Sequence, residues 1–407
     1  MSRKEYASNI KSHRVVRLGG RNGDAGGHRL RDFLQRSGID FEWTEADTAT
    51  TADVPGNARL TNPSVEDLAR TLGLIAQPSR NVYDVSIYGA GPAGLSAAVY
   101  AASEGLSTVL IERHSIGGQA GTTSLIENYL GFPDGLAGVE LAERAREQAL
   151  KFGVEILIMR EGVKAEFRDG RIHADLANGG QMIARSNICA TGVDWRRLGL
   201  AQEKAFLGSG LYYGAGVSEA RFCRGERIFV VGGGNSAGQA VMHLADHAKH
   251  VTIVVRGSEL AASMSSYLRE RIEAAENVDI RYDSKITGLE GDGGLSAIEL
   301  TDENGGKTWE ETKHVFVAIG GEPHTEWAKA TAIVRDEAGY LVTGPDLLTD
   351  GRPPDCWPLQ RTPFFLETSV PGSFAAGDVR HRSIKRVATA VGEGAMAVAF
   401  VHQFLQD

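Results

Sequence analysis

Cysteine is scarce in this chain. Its 407 residues hold three, Cys189, Cys223 and Cys356, and no two stand in a Cys-x-x-Cys. That excludes a zinc ribbon and a redox dithiol closed over a short loop. Cys189 lies inside the apolar run SNICA and reads as a small buried hydrophobe, as does Cys223, while Cys356 falls in a proline-flanked loop. No apolar run approaches the roughly 20 residues of a membrane span. The basic opening MSRKEYASNIKSHR has no apolar segment behind it, so no secretory signal is expected. The expectation is a cytoplasmic protein that engages no membrane. Positive charge is in deficit, with 43 Lys and Arg against 52 Asp and Glu and a net charge of −9, which argues against nucleic-acid binding. Proline, at 12, is low, whereas glycine, at 50, is high and has no collagen-like period. That imbalance points to many tight strand-to-helix turns and so to an α/β protein. At 42% hydrophobic the chain can bury two or three domain cores.

Residues 13–46 read strand, helix, strand, as HRVVRL, GGHRLRDFLQRSG and DFEWTEAD. A polar stretch rich in Thr and Ala follows, and PSVEDLARTLGL then reads as a second helix with a Ser start and a Gly stop. This unit resembles a shortened thioredoxin- or glutaredoxin-type βαβ domain. The turn where such domains carry their reactive Cys-x-x-Cys reads LGGRNGDAGGH, without cysteine. The resemblance therefore implies a scaffold or docking piece over residues 1–80; an unrelated small α/β cap is the other reading.

From Tyr83, YDVSIYGAGPAGLSAAVYAASEGLSTVLIER is a β-run, a glycine turn, a helix of small residues and a second β-run. Gly89, Gly91 and Gly94 give G-x-G-x-x-G around Pro92 and Ala93. The first glycine makes the turn, the second admits a pyrophosphate, and the third lets helix and sheet pack. The phosphate would sit on free N–H groups at the helix start. Glu112 ends the second strand, where a ribose hydroxyl needs an acceptor. A second copy, RIFVVGGGNSAGQAVMHLADHAKHVTIVVRG, repeats the fingerprint with Gly232, Gly234 and Ala237 around Asn235 and Ser236. Its second strand ends in Arg256 rather than an acid, which suits a ribose 2′-phosphate and favours NADP over NAD. A flavin and a nicotinamide passing hydride explain two dinucleotide folds in one chain. A dinucleotide sensor without redox chemistry is the alternative.

Over residues 82–407 the chain resembles the low-molecular-weight thioredoxin reductases. The resemblance rests on GAGPAG, Gly117-Gly118-Gln119, Ile126-Glu127-Asn128-Tyr129, Ala190-Thr191-Gly192, GGGNSA, VFVAIG and FAAGDV…VATAVGEGAMA. It implies two Rossmann-like domains, an FAD domain split over 81–195 and 322–407 and an NAD(P) domain over 196–321, in a homodimer. Gly117, Gly118 and Gln119 would then pass close to the flavin and Asn128 would approach its ring. Thr191 and Gly192 would line the same cofactor, and Asp378, after Gly377, would accept from the ribitol. The glycine-rich segment running to Gly394 would start a helix whose N-terminus faces the ring. Rotation of one domain on the other would turn near Gly192–Asp194 and Gly320–Glu322.

The departures bear on function. The C-A-T-C of thioredoxin reductases falls on Ala215-Gly216-Val217-Ser218, so both cysteines are missing and Ser218 cannot exchange disulfides. Glu219 stands where the family has a proton-donating acid, and reads either as a proton donor or as a solvated carboxylate. The family's H-R-R-x-x-x-R becomes Val255-Arg256-Gly257-Ser258-Glu259-Leu260-Ala261, keeping one arginine and leaving NADP or NAD open. The C-terminal R-Q-A becomes Lys385-Arg386-Val387, within a basic run from Arg380 that suits FAD phosphates, an acidic partner such as ferredoxin, or only solvent. The expectation is an FAD-dependent NAD(P)H oxidoreductase passing electrons to a non-disulfide acceptor: a quinone, oxygen, a metabolite or a ferredoxin-like protein. Disulfide reduction using a partner's thiols is the second reading, and a redox-silent FAD or NAD(P) sensor the third.

Overall fold

The computed structural model describes residues 15–177, 179–214, 220–260 and 264–406. Strand β1 (Val16–Gly20) alternates buried Val16 and Leu18 with exposed Arg17, and pairs in parallel with β2 (Phe41–Glu45). Between them runs helix α1 (Ala25–Arg36), which Asp24 caps by accepting from Gly27 N at 2.6 Å. The Thr/Ala stretch is a hairpin, β3 (Thr51–Asp53) with β4 (Leu60–Thr61), giving a sheet ordered β2-β1-β3-β4. The Pro55–Gly56 dipeptide is the signal that could have revealed it. Helix α2 (Val65–Thr71) carries a capping box between Ser64 and Asp67.

The next sheet has seven strands: β5 (Val82–Tyr88), β6 (Thr108–Glu112), β7 (Glu155–Ile158), β8 (Gly162–Arg168), β9 (Arg171–Leu176), β10 (Gln181–Cys189) and β21 (Ser373–Ala375). Strands β7, β6, β5, β10 and β21 run parallel, and β8 and β9 form an antiparallel extension. Helices α3 (Pro92–Ser103) and α4 (Gly138–Lys151) cover it. A ribbon of β11 (Val193–Trp195) against β20 (Gly321–Pro323) occupies both joints inferred from the sequence.

Beyond the ribbon, β12 (Leu211–Tyr213), β13 (Arg227–Val231), β14 (His250–Val254), β15 (Val278–Arg281) and β19 (Val315–Val317) make a parallel sheet ordered β12-β19-β13-β14-β15. Helices α5 (Asn235–Ala245) and α6 (Ser266–Ala274) pack on it, and β16 (Lys285–Glu290), β17 (Ala297–Thr301) and β18 (Lys307–Glu311) form an antiparallel meander. The fold is α/β with two Rossmann-like units.

The last helix, α7 (Val387–Gln406), begins before Gly392 and Gly394, so both glycines lie inside it. It is the single described helix long and apolar enough to cross a membrane. Its contacts account for that composition differently, because α7 packs on α3 and carries Glu393, which is buried against Arg380 at 2.7 Å. A Cβ on Gly394 would overlap the Ala93 carbonyl oxygen, whereas a Cβ on exposed Gly392 would meet nothing within 4 Å. We predict that Gly394→Ala lowers stability by about 1–3 kcal/mol through overpacking, and that Gly392→Ala is neutral or stabilising by up to about 1 kcal/mol. Thermal melts of both variants check this; equal melting temperatures would refute the packing.

Candidate dinucleotide site

The first glycine turn is built from backbone pressed on backbone. Gly89 has φ +100°, and a Cβ there would overlap the Ala190 carbonyl; a Cβ on Gly94 would overlap that of Gly89. Gly91 caps α3 without a side-chain hydrogen bond, and the nearest atom to its missing Cβ is Gly118 Cα at 3.8 Å. The turn therefore leaves both space and free N–H groups at a helix N-terminus. Glu112 is more constrained than a ribose ligand alone would be, since its two oxygens accept from Ala90 N and His114 N, each at 2.8 Å. It ties the turn to the strand end while lining the cavity.

That cavity has a volume of about 870 Å³, within the range of ligand sites. Gly89, Gly91, Pro92, Ala93, Glu112, Gly118, Gln119, Asn128, Thr191, Gly192, Gly377, Asp378, Lys385, Arg386 and Val387 all line it. Gly94 and Gly117 stand behind the wall; Gly117 N donates to Ala90 O at 2.8 Å. Gln119 Nε2 donates to Val193 O at 2.7 Å, joining the loop to the ribbon. Thr191 Oγ1 is buried and has no partner among the described residues. Burial pushes the Asp378 carboxyl above the usual range, with Glu393 acting the same way and Lys385 opposing. Its carboxylate receives no hydrogen bond among the described residues, so a ligand hydroxyl would satisfy it. The open glycine cradle, the orphaned threonine hydroxyl and the under-solvated carboxylate together fit FAD.

The second turn reaches the same cavity. Asn235 and Ser236, the first residues of α5, line it, and Asn235 Oδ1 also accepts from Ser265 N at 2.7 Å. Gly232, Gly234 and Ala237 do not line it; Gly232, at φ +138°, packs under Ala318, and Ala237 is fully buried in the helix–sheet core. Arg256 also lies outside, exposed just past β14. The two units meet again where Arg271 Nη1 donates to Glu127 Oε1 at 2.9 Å.

The run from Arg380 is not one basic patch. Arg380 is 8% exposed and pairs with Glu393, and His381 lies 2.6 Å from Asp336. Lys385 and Arg386 border the cavity while remaining exposed, and exposed Arg382 lies beside Asp346 at 3.3 Å. Ala215, Ser218 and Glu219 lie outside the described residues. Sequence reasoning missed Arg36, Arg113, Lys164, Asp194, Trp195 and His324, all of which line the cavity. Arg113 pairs with Asp194, which lies 2.9 Å from His324. Of these Arg113, next to Glu112, and Asp194 and Trp195, just past Gly192, had a local signal.

A cavity shared by two glycine-turn helices defines a flavin-dependent pyridine nucleotide oxidoreductase. Residues 83–394 match the pyridine nucleotide-disulphide oxidoreductase family, and the chain belongs to it. It is 34% identical to the thioredoxin reductase of Peptoclostridium acidaminophilum over 80% of this chain and 98% of that protein. Against the thioredoxin reductase of Bacillus subtilis (strain 168) it is 35% identical over 80% of this chain and 96% of that one. Among solved structures, the T. acidophilum thioredoxin reductase superposes with a TM-score of 0.70 at 28% identity, over 81% of this chain and all of that one. The Lactococcus lactis enzyme, in its FR conformation, gives 0.69 at 29% identity, over 79% and 99%.

Asp378→Ala is expected to weaken FAD retention. A buried carboxylate bonded to a cofactor hydroxyl contributes about 1–3 kcal/mol, so dialysed protein should lose flavin absorbance visibly. Equal flavin content in variant and wild type would remove Asp378 from the site.

Proposed function

We propose that this chain carries the two reducing equivalents of NAD(P)H through bound FAD to a disulfide whose reactive sulfurs belong to a partner. The observation that carries the electron path is the one cavity lined by the first turns of both α3 and α5. When bound there, FAD supplies the hydride-accepting and electron-relaying chemistry. The chain's part is to hold and orient. The N–H groups opening α3 receive the diphosphate, Asp378 takes the ribitol, and the N-terminus of α7 favours negative charge at the ring. Asn235 and Ser236 bring the nicotinamide diphosphate to the opposite wall, and Arg256 would read a 2′-phosphate, making NADP the nucleotide. The net reaction is NAD(P)H, a proton and a disulfide giving NAD(P)⁺ and two thiols.

The names of the relatives favour a disulfide over the quinone, oxygen, metabolite or ferredoxin-like acceptors expected from sequence alone. The chain's own sulfur cannot readily serve. Cys189 is buried, and desolvation pushes its thiol up to about 12; Cys223 is fully buried in the core of the other unit; Cys356 is exposed on a distant loop. An exchange cycle needs two sulfurs able to meet, with Cα atoms within about 7 Å. This inventory is what keeps a non-disulfide acceptor as the second reading.

The test is anaerobic titration with NADPH and NADH, followed by turnover of thioredoxin and of ferricyanide before and after alkylation of all three cysteines. Flavin should bleach, and both turnovers should survive alkylation. Loss of thioredoxin reduction on alkylation would put the chain's own thiols in the relay. Ferricyanide turnover without thioredoxin turnover would favour the second reading, and no bleaching would leave a redox-silent sensor. Separately, Arg256→Ala should raise the KM for NADPH by roughly one to two decades, the value of a charge-assisted phosphate contact of about 1.5–3 kcal/mol. The KM for NADH should stay put; equal rises would show that Arg256 reads no phosphate.

A further inference from the structure

The N-terminal sheet unit is docked onto both dinucleotide units through α1. Against the nicotinamide side, the His28 ring meets Tyr212 edge-on with centroids 5.2 Å apart, Gly23 O accepts from Ser209 Oγ, and Arg31 lies over Phe222 at 5.1 Å. Against the FAD side, the last residue of α1, Arg36, sends its guanidinium across the junction. Nη2 donates to Gly118 O at 3.1 Å and to Ser115 O at 3.3 Å. Nη1 lies 3.6 Å from Asp32, and the side chain is 16% exposed. Nε is buried with no partner among the described residues, and Arg36 lines the cavity.

The loop it grips is the one behind the phosphate turn. A Cβ on Gly118, at φ +55°, would sit 3.0 Å from Gly91 Cα, and Gly91 is the glycine across which a pyrophosphate approaches. Arg36 therefore brings a permanent positive charge to the wall of the cavity beside the phosphate turn. Its one ionic neighbour among the described residues, Asp32, is partly exposed.

We propose that Arg36 makes the N-terminal unit part of the FAD site, fixing the Ser115–Gly118 loop and compensating the cofactor's diphosphate charge. This rests on the FAD reading above. It also makes cofactor and domain docking reciprocal, because a ligand that binds the docked form must strengthen docking by the same factor.

The experiment uses full-length apoprotein titrated with FAD at several salt concentrations, following flavin fluorescence, alongside limited proteolysis of the N-terminal unit with and without FAD. Arg36→Ala should raise the FAD Kd at least tenfold and flatten its salt dependence, since a screened charge contact is gone. Arg36→Lys should recover part of the affinity and the salt slope but not the two carbonyl contacts. FAD should protect the N-terminal unit from proteolysis in wild type and less so in Arg36→Ala. Arg17→Ala, on an exposed ion pair of the same sheet, should match wild type. If Arg36→Ala does not fold, Arg36→Gln takes its place in the titration. Wild-type affinity and salt slope in the folded variant would overturn the proposal alone. Failure of wild type to bind FAD at all would overturn the FAD reading with it.

Discussion

The FAD unit depends on helix α3 being approached by bare backbone from three sides. Gly89 closes its start against the Ala190 carbonyl and Gly94 against that of Gly89, Gly394 of α7 lies on the Ala93 carbonyl, and a Cβ on Gly377 would stand 2.9 Å from Ala93 Cβ. Any side chain at these glycines would push α3 off the sheet, and with it the free N–H groups that make an anion site. The buried residues of α3 are mostly small, Ala93, Gly94, Ala97, Ala98 and Ala101 beside the single larger Leu95. Close packing here is the condition for the chemistry, because a turn displaced by a methyl group would no longer present its amides to a diphosphate.

Charge is organised around that packing. The buried Glu393 holds Gly377 N at 2.7 Å and neutralises Arg380, so the strand end carrying Asp378 is fixed by an ion pair with its polar partners made. On the other wall, Arg113, Asp194 and His324 join the end of β6 to both strands of the ribbon region. The cavity thus has a rigid floor of glycine and alanine and a rim of paired charges supplied by distant parts of the chain.

The legible parts of this molecule were those whose geometry is written in consecutive residues. Both glycine fingerprints, the acid closing β6 and the small-residue helices follow from local steric rules, and the structure places them where those rules require. The hairpin at 51–61 was lost because its strands are two and three residues long and alternate too briefly to register. Arg36 and His324 were invisible for another reason. Each reaches the cavity only through tertiary docking, and a lone arginine ending an amphipathic helix reads from sequence as a solvated C-terminal charge. In the basic run from Arg380, charges adjacent in sequence point to different partners once folded, with Arg380 on Glu393 and Lys385 and Arg386 beside the cavity.

The ribbon of β11 and β20 has a topological meaning. Because Val193–Trp195 pairs with Gly321–Pro323, the chain leaves the FAD unit and returns to it at neighbouring points. Everything between is a cassette with adjoining ends, spliced into a sheet whose remaining strands already pair with one another, β21 completing it beside β10. The strand register of the host sheet is therefore set without any strand of the insert. The ribbon also concentrates any pivoting of the cassette into a narrow two-stranded waist.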